Sequence, residues 1–162
     1  YEGAARDVML RFKFGEAPEL CADTLADWLC DGFDRHYDGE SFDFAVSVPS
    51  FGERPRMELF VRDFAARRGL CYRPELLIKT RPTEKQHRLS AAERRTNLRG
   101  AFAASEAVRG KSILLVDDIF TTGSTVSECA AALHAAGAKS VFVLTVLRTE
   151  DKTEKSDNRK EK

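Results

Sequence analysis

One segment constrains this chain more than any other. Ile113-Leu114-Leu115-Val116 runs into Asp117-Asp118-Ile119-Phe120, and then into Thr121-Thr122-Gly123-Ser124-Thr125. Four consecutive apolar residues leave no polar face, which predicts a strand covered on both sides, as in parallel sheets. A helix is predicted over about 124–136, with Val126, Cys129, Ala130 and Leu133 on one side and Gly137 as its stop. Ligands of open α/β sheets bind at the carboxyl edge of the strands, where this segment turns. The loop's N–H groups and the hydroxyls of Thr121, Thr122, Ser124 and Thr125 can surround a phosphate monoester at the positive end of the helix. Gly123 lets the backbone approach without a Cβ in the way. Asp117 and Asp118 would repel that phosphate and so must face something else. Vicinal hydroxyls and a divalent cation are their natural partners. A sugar phosphate with a free diol satisfies both halves of the segment.

The rest of the chain repeats the alternation of helix and strand. Helices are predicted over 4–14 and 19–33, and over 57–68 with Gly69 as its end. Strands are predicted at 42–48, 76–78 and 141–147. This pattern gives an α/β fold with a mostly parallel sheet. Residues 80–110 are polar and basic with a few apolar anchors, among them Leu98, Ala101, Phe102 and Val108. The tail from Thr149 is highly charged without an apolar anchor and predicts disorder.

Composition enters through charge. The 162 residues carry 26 basic and 26 acidic side chains, so the net charge is zero. That balance argues against a generic polyanion binder, but it hides a segregated layout. Residues 1–45 carry −7 and residues 79–99 carry +5. The basic stretch allows a local anion site. No apolar run approaches the roughly 18 residues of a membrane span, and no secretory leader opens the sequence. Cys21, Cys30, Cys71 and Cys129 form no C-x-x-C pair and read as reduced, buried small hydrophobes of a cytoplasmic protein. No P-loop pattern occurs, and Ile119 stands where a haloacid-dehalogenase phosphatase needs its second Asp. His36, His87 and His134 are scattered and suggest no catalytic base. Arg67-Arg68 at a helix end reads as an answer to the helix dipole.

The 113–125 segment closely resembles the signature of the type I phosphoribosyltransferases. Lys79-Thr80-Arg81-Pro82-Thr83, Arg94, Asn97 and Gly100-Ala101-Phe102 resemble the stretch before that signature in the ComF family of competence proteins. So do Leu10-x-x-Lys13-Phe14 and Val46-x-Val48-Pro49. The resemblance implies the parallel-sheet type I phosphoribosyltransferase fold, with helices on both faces and a helical N-terminal hood at 1–40. It implies a single domain over 1–148 with a flexible basic flap at 79–110. Asp117 and Asp118 would hold the ribose hydroxyls of phosphoribosyl pyrophosphate, directly or through Mg2+. Thr121, Thr122, Gly123, Ser124 and Thr125 would hold the 5′-phosphate. Lys79, Arg81, Arg94, Arg99 and Arg56 would neutralise pyrophosphate. In this reaction class the ribose carbon ionises toward an oxocarbenium ion, so no protein nucleophile is required.

Two departures qualify the resemblance. The family usually opens on a C-x-x-C zinc ribbon, which would lie upstream of Tyr1. It also usually shows Arg-Gly-Phe-Asn-Gln after its first strand, where here only Arg56 of Arg56-Met57-Glu58-Leu59-Phe60 survives. The implied function is a phosphoribosyltransferase acting in DNA uptake. The alternative is a non-catalytic adaptor that binds phosphoribosyl pyrophosphate or a nucleotide monophosphate and serves a helicase-like competence ATPase. Direct binding of single-stranded DNA through 79–99 is a third and weaker reading.

Overall fold

The computed structural model describes residues 3–15, 17–50, 56–83 and 97–149. Two helices open it, α1 (Ala4–Phe14) and α2 (Glu19–His36), followed by strand β1 (Phe44–Ser47) and helix α3 (Met57–Arg67). A single 3-10 turn, Pro74–Leu76, leads into β2 (Leu77–Lys79), and β3 (Phe102–Ala104) follows. After a second 3-10 turn at Glu106–Val108 come β4 (Ser112–Phe120), α4 (Ser124–Ala135) and β5 (Ser140–Arg148).

β4 lies between β1 and β5, parallel to both. β2 and β3 form a separate antiparallel ribbon. Successive residues of a strand point to opposite faces, and β4 shows what that does. Leu114 and Val116 enter a core with Met9 and Phe12 of α1, Leu25 and Leu29 of α2, and Phe60 and Phe64 of α3. Ile113 and Leu115 enter a second core with Val126, Cys129 and Leu133 of α4 and with Leu77, Leu98, Phe102 and Val108 around the ribbon. Helices therefore cover both faces, as expected, with three on one side and α4 plus the ribbon on the other.

β4 runs to Phe120, four residues beyond the apolar run that predicts it. Its ladder with β5 continues to Phe120–Arg148, so pairing, not hydrophobicity, sets its end. The strand β3 carries no periodic sequence signal in its three residues. It forms because its neighbours Leu98, Ala101 and Val108 are fully buried in the second core. Both ends of the 79–110 span are thus anchored, while residues 84–96 lie outside the described residues. So does the tail from 150.

Two other expectations change. Arg67 and Arg68 do more than face a helix end: Arg67 pairs with Asp23, Asp27 and Asp63, and Arg68 forks onto both oxygens of Asp34 at 2.7 and 2.6 Å. They clamp α3 to α2 and take up part of the acidic charge of residues 1–45. Cys30 and Cys129 are buried, but Cys71 is exposed. It lies in a connecting stretch whose carbonyl accepts the Ala45 N–H at 3.0 Å, so backbone pairing places it there.

Candidate functional site

The end of β4 separates its two carboxylates. Asp117 follows the parity of Ile113 and Leu115 and is 9% exposed, on the side of α4. Asp118 lies on the α1 side, where Lys13 Nζ reaches its Oδ2 at 2.8 Å. After Asp118 the alternation shifts: Ile119 packs with the α1–α3 core and Phe120 with the α4 core.

Burial first, and then the charge of neighbouring Asp118, push the Asp117 carboxyl up to about 7. The Asp118 N–H, donating to Asp117 Oδ1 at 2.9 Å, and Lys13 both oppose that rise. A carboxyl taken out of water beside a like charge is poised to accept a proton, a cation or a hydroxyl hydrogen bond. The Cys129 thiol reports where Asp117 lies. Burial raises it, Asp117 raises it again, and Lys79 lowers it, so this thiol lies within electrostatic reach of both. Among the described residues no third His, Cys, Asp or Glu joins the acid pair in a metal-binding group.

The turn from Thr121 to Gly123 then reaches the first residue of α4. Thr121 and Thr122 are exposed and Ser124 and Thr125 half-buried. The Thr122 and Ser124 hydroxyls lie 2.9 Å apart and share a hydrogen bond. Gly123 has φ of +72°, a left-handed conformation that costs a side-chain-bearing residue about 1–2 kcal/mol. A Cβ there would lie 2.7 Å from Phe120 Cζ. The glycine is thus required twice, by its conformation and by the ring beneath it. α4 has no side-chain N-cap, and its first residues present N–H groups to the turn. The result is an uncharged hydroxyl-and-amide cradle next to two carboxylates.

The expected pyrophosphate cations fall differently. Lys79 is half-buried; its Nζ donates to Thr83 Oγ1 at 2.6 Å and stands 5.8 Å from the Phe102 ring centre. Burial lowers its pKa. Arg81 donates to the carbonyls of Asn97 and Arg99 at 2.9 and 3.0 Å, joining the two ends of the stretch between them. Arg56 points to α1, donating to the carbonyls of Phe12 and Lys13 at 2.7 and 2.8 Å. It caps the carbonyl end of that helix. Arg94 lies outside the described residues.

Lys13 is the residue that sequence reasoning left without a role. It stands in the Leu10-x-x-Lys13-Phe14 stretch, but no local signal links it to a carboxylate 105 positions away. A second omission is Ser47 at the end of β1, buried and 2.8 Å from the Tyr72 hydroxyl. Burial pushes that phenol up to about 12, so it stays a neutral hydroxyl. Ser47 also lines a cleft of about 240 Å³ with Pro49, Met57, Leu77 and Lys79. A larger cleft of about 440 Å³ lies at the opposite, amino-terminal edge of the sheet, beside Asp43, Ser112 and Ser140. The Asp43 carboxylate there is already held by Lys111 Nζ and the Ser112 N–H. Chemistry therefore places the candidate site at the carboxyl edge, despite the greater volume elsewhere.

Comparison with known proteins bears on the family and the fold. The phosphoribosyl transferase domain pattern matches residues 78–161, half of the chain. A DNA utilization protein YhgH of Salmonella typhi is 36% identical over 113 residues, covering 66% of this chain and 50% of that protein. A competence protein ComFC of Streptococcus pneumoniae is 27% identical over 152 residues, covering 91% of this chain and 65% of that one. Among solved structures, a glutamine phosphoribosylpyrophosphate amidotransferase from B. subtilis superposes with a TM-score of 0.57 at 20% identity. That match covers 85% of this chain and 30% of the other, and it carries the fold alone. The chain thus spans about half to two thirds of these two curated relatives. With the acid pair, the glycine cradle and the parallel sheet in place, this chain belongs to the phosphoribosyl transferase domain family and is a ComF-family phosphoribosyltransferase-like protein.

Proposed function

We propose that the chain binds Mg2+–phosphoribosyl pyrophosphate at Asp117–Thr125 and transfers the phosphoribosyl group to an acceptor, within a pathway of DNA uptake or utilisation. The observation that carries this is the juxtaposition at the end of β4. A buried carboxyl poised near 7 and its charged neighbour adjoin an uncharged cradle whose glycine no other residue can replace without strain and a clash. The diol of a ribose donates to the former, and its 5′-phosphate accepts from the latter. The two carboxylates suit Mg2+, which keeps several waters and takes one or two carboxylates together with substrate oxygens. When bound there, the cation would neutralise charge on the departing pyrophosphate. Asp117 and Asp118 would orient the ribose, and Lys79 is the expected pyrophosphate cation whose side chain lies within electrostatic reach of the same buried thiol as Asp117.

The DNA role rests on the names of the relatives, a DNA utilization protein and a competence protein. No helix among the described residues is long and apolar enough to cross a membrane, in keeping with a cytoplasmic site of action. Incubation with Mg2+, phosphoribosyl pyrophosphate and a panel of bases and amines should release pyrophosphate with at least one acceptor. No release with any acceptor counts against transfer.

A second reading has its own support. Arg56 and Arg81 are committed to backbone carbonyls, which leaves them poorly placed to meet pyrophosphate. The same pocket could then serve a non-catalytic adaptor of a competence ATPase. Binding of phosphoribosyl pyrophosphate or a nucleotide monophosphate without pyrophosphate release would favour it.

A further inference from the structure

Lys13 joins two parts of the molecule that share no other described ion pair. Its ammonium stands on Asp118 at 2.8 Å, with 33% of the Lys13 side chain and 20% of the Asp118 side chain exposed. Its own carbonyl, with those of Phe12 and Gly15, is held by Arg56 Nη1 at 2.8, 2.7 and 3.4 Å. The carbonyl end of α1 is therefore pinned by Arg56, at the start of α3, while its side chain occupies the acid pair. Asp118 is the more accessible of the two carboxylates, so an incoming cation meets it first. A cation that coordinates Asp118 cannot share that oxygen with an ammonium at hydrogen-bond distance without strong repulsion.

We propose that Lys13 is a positioning residue, a place-holder cation carried by α1 that gives up Asp118 when a divalent cation enters the site, so that occupancy of the site and the set of the α1 carbonyl end change together. This rests on the reading of Asp117 and Asp118 as the cation-holding pair. It goes beyond that reading by making α1 the element that senses the site. The pair also keeps Asp118 satisfied in the ligand-free chain, next to a buried carboxyl that would otherwise face an unscreened like charge.

The test measures Mn2+ binding by water-proton relaxation, and amide exchange over residues 4–14, in the full chain and in Lys13→Gln and Lys13→Arg. Loss of one partly exposed pair tightens Mn2+ in Lys13→Gln by roughly two- to fivefold. Lys13→Arg keeps a cation there and stays near the wild type. Mn2+ speeds exchange at the end of α1 in the wild type and leaves it unchanged in Lys13→Gln. A merely structural ion pair would not produce that difference. Equal or weaker Mn2+ binding by Lys13→Gln, or α1 exchange in the wild type that ignores Mn2+, overturns the proposal. A chain that meets these expectations but does not bind Mg2+–phosphoribosyl pyrophosphate overturns the functional reading and leaves the role of Lys13 standing.

Discussion

Asp117 and Asp118 stand near the end of a buried strand, and the hydroxyl turn begins three residues after Asp118, yet the two regions are held by different means. The cradle is local. It needs the left-handed Gly123, the Phe120 ring under it and the first turn of α4, all within a few residues. The acid pair is tertiary. Asp118 is answered by Lys13 of α1, which is itself held by Arg56 beside α3, and Asp117 is buried on the side of α4. One region presents backbone amides and hydroxyls in a local turn. The other gathers negative charge that the fold offsets from a distance. A local device is broken by changing its own residues, whereas a tertiary one is broken from a distance.

The largest effect expected is on the cradle. Gly123→Val combines a left-handed backbone with a Cβ driven into the Phe120 ring. Calorimetric titration should show phosphoribosyl pyrophosphate binding reduced at least about a hundredfold, equivalent to roughly 3 kcal/mol. Unfolding of the variant should remain cooperative, because the site lies at a surface turn.

Next comes the tertiary support. Arg56→Ala leaves the α1 carbonyls without their guanidinium, and charge-assisted hydrogen bonds contribute about 1.5–3 kcal/mol. Amide exchange in residues 4–14 should accelerate by one to two orders of magnitude. An unchanged rate would mean that α1 is held by its apolar face alone.

The third prediction is on Asp117 and has a definite pH sign. Its folded pKa, about 7, lies above the ordinary carboxylate value of 3.8. The folded state thus holds a proton that the unfolded state has lost between those values. Stability falls as pH rises through that window, and the loss is complete above it. Asp117→Asn should therefore raise the melting stability of the ligand-free chain at pH 8 by about 2 kcal/mol, with the gain shrinking toward pH 5. The same variant should bind Mg2+–phosphoribosyl pyrophosphate more weakly. A constant gain across pH would show that Asp117 titrates normally.

The smallest effect belongs to a single hydroxyl. Ser124→Ala removes one partner of the Thr122 hydroxyl at an exposed turn. Binding should weaken by only a few-fold, about 0.5–1.5 kcal/mol, with no change in melting temperature.

Much of this was legible in the sequence, and unevenly so. The buried strand, the turn and α4 follow from a four-residue apolar run, a glycine and a helical periodicity, all local signals. The helices of 4–14 and 57–68 follow from apolar spacing, and Met9, Phe12, Phe60 and Phe64 are indeed core residues. β3 was not legible, because three residues carry no period and Phe102 is fixed by packing around it. The extension of β4 to Phe120 was hidden for a related reason, since the ladder with β5 carries it past the apolar run. Arg56 and Arg81 read as anion-facing because the family resemblance implies it. The structure sends them to carbonyls that only the folded chain brings near. Lys13 at Asp118 is the plainest case: the identity of the cation is written in the sequence, but its partner is a property of how α1 packs on the sheet.

The central claim is that one ligand spans both regions, with its diol and cation on the acids and its phosphate in the cradle. The direct measurement is calorimetric binding of phosphoribosyl pyrophosphate, with and without Mg2+, to the wild type and to Asp118→Asn. The account predicts Mg2+-dependent binding to the wild type and its loss in Asp118→Asn, while ribose 5-phosphate binds better than its 2-deoxy analogue. Binding that is indifferent to Mg2+, to Asp118→Asn and to the 2′-hydroxyl would contradict it.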